Sequence, residues 1–135
     1  MTLKNTENYI IDIVNTQTID NQSEKITTEA NCSFRFDGNK AYIVYKAEGC
    51  TTMIKAEGDT VFIKRSGDTG YEMNCIKNSY TDFNYNTPYG TIKMRIFTNL
   101  VNCIFTPDGG SVYLNYVLEN GGDKIYNIME INIRR

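Results

Sequence analysis

Arg65 is the residue with the most chemistry to explain. Val61, Ile63 and Arg65 share one parity of an alternating run, so the guanidinium points to the same side as two aliphatic side chains. An unpaired guanidinium on an apolar side costs several kcal/mol, and it therefore requires an anion, a set of carbonyls or water. No carboxylate shares its inward parity. The remaining partners are the loop or bend acids Glu48, Asp59 and Asp68, exposed carbonyls at a sheet end, or the acidic head of a bound ligand. Because Arg65 adjoins the Ser66–Gly70 turn, where water reaches, the reading favours a structural arginine at the sheet end. A carboxylate-binding role, suited to the planar fork of arginine, is the functional alternative.

Other chemistries are excluded by composition. The chain has no histidine, which removes Ser-His and Cys-His nucleophile pairs, histidine metal ligands and the side chain best suited to acid-base work near neutrality. Acidic residues such as Asp12, Glu29, Glu72 and Asp82 fall on turns and outward parities without forming a catalytic constellation. Gly67, Gly70, Gly109 and Gly110 sit in hairpin contexts and form no phosphate loop leading into a helix. Cys32, Cys50, Cys75 and Cys103 are widely spaced with no Cys-x-x-Cys pair, which indicates reduced, mostly buried thiols rather than a zinc or redox site. No enzyme, cofactor or metal is expected. Ten tyrosines could stack bases, but a net charge of −2 and a pI near 5.1 supply no stripe of cations for phosphates. Lys93, Arg95 and Lys64 read as a solvated face, and no nucleic-acid partner is expected.

The elements that must position Arg65 are strands. Ile26 to Phe36 is the strongest alternating run, with Ile26, Ala30, Cys32, Phe34 and Phe36 on one face. Lys40–Ala47, Thr51–Ala56, Thr60–Ser66, Tyr71–Ile76, Tyr80–Tyr85, Gly90–Thr98, Val101–Phe105, Ser111–Glu119 and Lys124–Ile133 follow, and Tyr9–Asn15 supplies the first strand. Gly49 suggests a bulge or sharp bend. Turn residues at Asp37-Gly38-Asn39, Gly58-Asp59, Ser66–Gly70, Pro107–Gly110 and Asn120–Asp123 are hairpin signals. Short links make neighbouring strands antiparallel, and a long twisted sheet with one apolar face tends to close.

The expectation is an all-β, single antiparallel up-and-down meander barrel over residues 1–135. Its inward rows include Met73, Met94, Tyr116 and Met129 as candidates for lining a lumen. Sequence leaves open whether these rows fill the interior or leave space for one small ligand. Met1–Tyr9 is polar and lacks the pattern of a signal peptide, and no segment approaches the span of a membrane helix. A cytoplasmic protein without a membrane partner is expected.

The ordered segments Tyr42–Gly49, Thr51–Lys55, Val61–Gly67 and Thr87-Pro88-Tyr89-Gly90, with Thr98 closing the next strand, resemble the uncharacterised bacterial YwiB family. The resemblance spans most of the chain and includes a Tyr113–Leu118 strand and a final isoleucine-rich strand. It implies a calycin or lipocalin-like β-barrel and defines no biochemical function. Tyr45, Glu48, Thr52, Arg65, Gly67, Thr87, Pro88, Gly90 and Thr98 match its motif. The Thr87–Gly90 segment has an architectural explanation, since proline presets a turn and drives Thr87 to an extended conformation. Tyr45 and Thr52 have inward parities and could join Arg65 and Glu48 around a ligand. That grouping resembles, at fold level, the arginine and tyrosine that hold a carboxylate in intracellular fatty-acid-binding proteins. The chain has no tryptophan, so the tryptophan-arginine closure of many lipocalins does not carry over. The leading functional expectation is a non-enzymatic barrel binding a small, largely apolar molecule, with a carboxylate as one option. The alternative is a filled barrel acting as a structural or protein-interaction module.

Overall fold

Alternation and hairpin turns produce one continuous sheet. The computed structural model describes residues 9–135; the polar start, residues 1–8, lies outside the described residues. The strands are β1 (Tyr9–Ile19), β2 (Gln22–Asp37), β3 (Lys40–Ala47), β4 (Cys50–Glu57), β5 (Thr60–Gly67), β6 (Tyr71–Ile76), β7 (Ser79–Thr87), β8 (Gly90–Thr106), β9 (Gly109–Asn120) and β10 (Asp123–Arg134). Their order in the sheet is β6-β5-β4-β3-β2-β1-β10-β9-β8-β7. Every ladder between neighbours is antiparallel. The meander therefore curls until its first and last strands pair, Ile10 opposite Arg134 through Thr18 opposite Tyr126.

Closure is nearly complete, and its seam falls in the middle of the chain between β6 and β7. These strands are joined by the Lys77-Asn78 turn but share no ladder. The turn's amides are engaged elsewhere: Lys77 N donates to Asp59 O at 3.1 Å and Asn78 N to Thr98 O at 2.7 Å. That anchoring pulls the turn toward the neighbouring elements instead of into a hairpin. The seam is stitched at its other end by reciprocal Gly70–Asn86 backbone bonds. Between them, Thr81 Oγ1 donates to Asn74 O at 2.6 Å.

Three details correct the sequence expectation. Gly90–Thr98 and Val101–Phe105 are one strand, β8, with a register shift between Thr98 and Leu100. A bulge there restores inward parity, because both Thr98 and Val101 are buried. The first strand runs on to Ile19 and meets β2 through Asp20 and Asn21, both at positive φ. Two such residues form the turn type that matches strand twist. Glu48 and Gly49, at φ 53° and 75°, likewise make a two-residue turn where a bulge or bend was expected.

Packing divides the barrel along its axis. One end carries the β2–β3, β4–β5, β6–β7 and β8–β9 turns together with the start of β1 and the end of β10. Here Phe34 meets Tyr9 edge-on at 5.1 Å and Phe105 at 5.9 Å, with Phe36 6.3 Å from Phe105. Tyr9 OH donates to Pro107 O at 3.0 Å. Ile11, Ile43, Ile54, Ile96, Leu114 and Ile131 form a fully buried belt, each side chain contributing about 1.5–3 kcal/mol by leaving water. The opposite end carries the β1–β2, β3–β4, β5–β6, β7–β8 and β9–β10 turns. There the inward residues Ile26 and Ile92 remain 44% and 41% exposed, because no aromatic plug covers them.

Candidate ligand site

The uncovered end encloses a cavity of about 620 Å³. Its walls include the isoleucines Ile13, Ile54 and Ile63, and all four sequence candidates, Met73, Met94, Tyr116 and Met129. Aromatic rings guard the seam side: Tyr71 stacks on Tyr85 at 5.9 Å and lies 6.0 Å from Phe83. The cavity falls within the size range of small-molecule sites.

Arg65 stands in the wall of this cavity, opposite Thr52 on β4 and Tyr71 on β6. Gly67, at φ 142°, brings β5 close against β4 just beyond it, since a Cβ there would lie 2.9 Å from Cys50 Cα. The guanidinium carbon lies 5.3 Å from the centre of the Tyr71 ring, a cation–π distance. Neither Glu48, Asp59 nor Asp68 forms an ion pair with it; among the described residues the salt bridges join other cations. Its Nε is shielded from water and has no hydrogen-bond partner among the described residues. Burial works against the charge, but the surrounding Tyr71 and Tyr45 oxygens and the Cys50 sulfur outweigh it, and the pKa of Arg65 is raised. Burial raises the pKa of Tyr71 and Tyr116, so both phenols stay neutral as hydrogen-bonding groups.

A smaller cavity of about 300 Å³ adjoins the same residues. Arg65, Tyr45 and Glu48 line both spaces, whereas Thr52 lines the smaller one. Tyr45 and Thr52 are buried, as their parity required, and Glu48 is an exposed turn residue at the rim. Cys50 also faces the smaller cavity. Its thiol pKa is lowered, first by hydrogen bonding to the Thr69 backbone, with Arg65 adding to the effect. Burial instead raises Cys32 and Cys103 to about 11 and Cys75 to about 12. All four thiols are free.

Sequence reasoning missed an amide cluster. Asn127 sits on the inward row of Ile125, Met129 and Ile131 and is 1% exposed. Its Nδ2 donates to Ile125 O at 3.0 Å, and its Oδ1 accepts from Asn15 Nδ2 at 3.4 Å. Asn15 and Gln17 line the large cavity. The signal was present: these amides fall on the same parity as Ile11, Ile13 and Met129, and buried amides demand partners. On the exterior, Lys64 pairs with Glu72 at 3.5 Å and Arg95 with Asp82 at 3.1 Å, so opposite charges accompany two of the three cations Lys64, Lys93 and Arg95.

Fold and cavity together define a ten-strand up-and-down barrel, packed at one end and hollow at the other. A family model described as a domain of unknown function, DUF1934, matches residues 11–132, and the chain belongs to that family. Among solved structures, the chain is similar to the crystal structure of ywiB protein from Bacillus subtilis. The TM-score is 0.86 at 18% identity, over 93% of this chain and 89% of that one. At that identity the likeness establishes the fold. A search of curated proteins finds no match. Among the described residues no helix is long and apolar enough to cross a membrane, a finding that does not bear on strands.

Proposed function

We propose that this protein is a non-enzymatic, calycin-like binding barrel. Its lumen takes a small, largely apolar molecule whose carboxylate lies at Arg65, within reach of Tyr45 and Thr52 and with Glu48 at the rim. The observation that carries this reading is Arg65 itself, a guanidinium without an ion-pair partner among the described residues, in the wall of a cavity of about 620 Å³ lined with isoleucine, methionine and aromatic side chains. An arginine fork can hold a carboxylate through two parallel hydrogen bonds. Four free thiols fit a reducing, cytoplasmic setting.

The alternative, a protein-interaction module, draws on one exterior feature. Tyr80, Phe97, Val117 and Tyr126 form a cross-strand row on β7–β10, with Tyr80 and Tyr126 more than half exposed. Native mass spectrometry of the purified protein, followed by calorimetric titration with decanoic acid and 1-decanol, separates the readings. Under ligand binding, the acid binds at least tenfold more tightly than the alcohol. Failure of both to bind, with no retained small molecule, refutes it.

A further inference from the structure

The lumen presents a second unmet polar demand on the wall facing Arg65. Asn15 lies on β1 and Arg65 on β5, four strands apart in a ring of ten, which places them on nearly opposite walls of the same cavity. The amide orientation of Asn15 follows from a chain of hydrogen bonds anchored in the backbone. Ile125 O can only accept, so it fixes Asn127 Nδ2; this turns Asn127 Oδ1 toward Asn15 and fixes Asn15 Nδ2 there. The remaining atom, Asn15 Oδ1, is shielded from water and has no partner among the described residues. It is an acceptor by construction. Flipping the amide would set two oxygens against each other.

A shielded acceptor without a donor is a standing cost, and a neutral donor meets it without the desolvation cost of burying a charge. Because the oxygen is shielded, a donor in the lumen reaches it only when a neighbouring side chain gives way, and the proposal assigns that movement to Gln17, two residues along the same inward row and also lining the cavity. Resting on the lumen-binding reading above, we infer that the ligand is bifunctional: a carboxylic acid carrying a hydroxyl or amide N–H at the far side of its apolar body. The acid meets Arg65 and the donor meets Asn15 Oδ1, with Asn127 as the residue that positions Asn15. A plain fatty acid satisfies one wall and leaves the other unmet.

The matched probes are 10-hydroxydecanoic acid and undecanoic acid, in which a methyl replaces the hydroxyl. In a purely apolar lumen the methyl compound binds more tightly, since the hydroxyl loses water without gaining a partner. The expected result on the wild-type protein is the reverse, a preference of fivefold or more for the hydroxy acid. In Asn15→Leu, and in Asn15→Ala as a second variant, undecanoic acid becomes the tighter ligand. The thermal midpoint of the unliganded Asn15→Leu protein stays within a few degrees of wild type, because the substitution exchanges one unmet acceptor, Asn15 Oδ1, for another, Asn127 Oδ1. A wild-type preference for undecanoic acid overturns the second contact while leaving lumen binding intact. Binding of neither acid overturns both. A hydroxy-acid preference that persists in both variants, or a collapse of the unliganded midpoint, also overturns the assignment.

Discussion

Replacing Arg65 with methionine separates a binding arginine from a structural one, because the two roles predict opposite changes in stability. Methionine keeps much of the apolar stem, so packing against Tyr71 is largely retained. Two terms then differ in the unliganded protein. Removing the shielded, unpartnered Nε relieves about 1–3 kcal/mol of unmet desolvation, while losing the guanidinium over Tyr71 at 5.3 Å forfeits about 0.5–1 kcal/mol. The net expectation is a stability unchanged or raised by up to about 2.5 kcal/mol. For a carboxylate ligand, losing a hydrogen bond to a charged group costs about 1.5–3 kcal/mol. At about 1.4 kcal/mol per decade, that weakens binding roughly 10- to 150-fold. Stability is read by urea denaturation followed by circular dichroism, since the chain contains no tryptophan, and affinity by calorimetry with decanoic acid. A loss of more than about 2 kcal/mol in stability together with an unchanged Kd refutes the reasoning and returns Arg65 to a structural role.

Gly109→Ala should cost at least about 3 kcal/mol, measured by urea denaturation: Gly109 has φ 139° and a Cβ there collides with the carbonyl of Ile133 on β10. A variant within 1 kcal/mol of wild type would show that β9 and β10 separate easily at the packed end. Stability should also fall above pH 9 through Cys75. Its thiol is fully buried and its pKa is raised to about 12 from an ordinary value of 9.0, so the unfolded chain releases the proton first and gains on the folded form between those values, by about 1.4 kcal/mol per pH unit. Urea midpoints of wild type and Cys75→Ala under reducing conditions should therefore converge as pH rises from 9 to 10.5, and parallel curves would contradict the burial.

Local rules made much of the fold legible. Period-two alternation located the strands because each one separates a core face from an outer face, and Asp, Asn and Gly marked most turns. Where sequence reading failed, non-local geometry decided. Thr98 and Val101 have opposite parities, which looked like two strands; only the partner strand β9 shows that a bulge lets one strand bury both. Asp20-Asn21 lacked the glycine that made other turns visible, yet both residues adopt positive φ. At the site, parity placed Tyr45, Thr52, Arg65 and the methionines inward. It could not pair Arg65 with Tyr71 across β5–β6, nor bring Asn15 beside Asn127 from 112 residues away, because the β1–β10 register exists only once the meander has curled. The choice between a filled and a hollow interior was illegible for the same reason: Phe34 and Ile26 share one parity of one strand, but the first belongs to an aromatic plug and the second to an open wall.

That last contrast bears on why the hollow end persists. A barrel selected for stability alone would repeat at both ends what Tyr9, Phe34, Phe36 and Phe105 do at one. At the open end the inward positions instead hold Thr28, Asn15, Gln17 and Arg65, side chains that leave volume unfilled or bring polar atoms inward. Each buried methylene not supplied forgoes about 0.8 kcal/mol, and Arg65 Nε and Asn15 Oδ1, two of the three shielded side-chain polar atoms without partners among the described residues, the third being Thr98 Oγ1, add a cost of their own. The packed end and the buried belt supply the stability that tolerates this. The two polar residues of this wall with unmet atoms are also unlike in kind, a cationic donor on β5 and a neutral acceptor on β1, so a void hydrated by bulk water alone would give no reason to set them on opposite walls. One molecule with an acid at one end and a donor at the other accounts for the cavity, its apolar middle and both unmet atoms together.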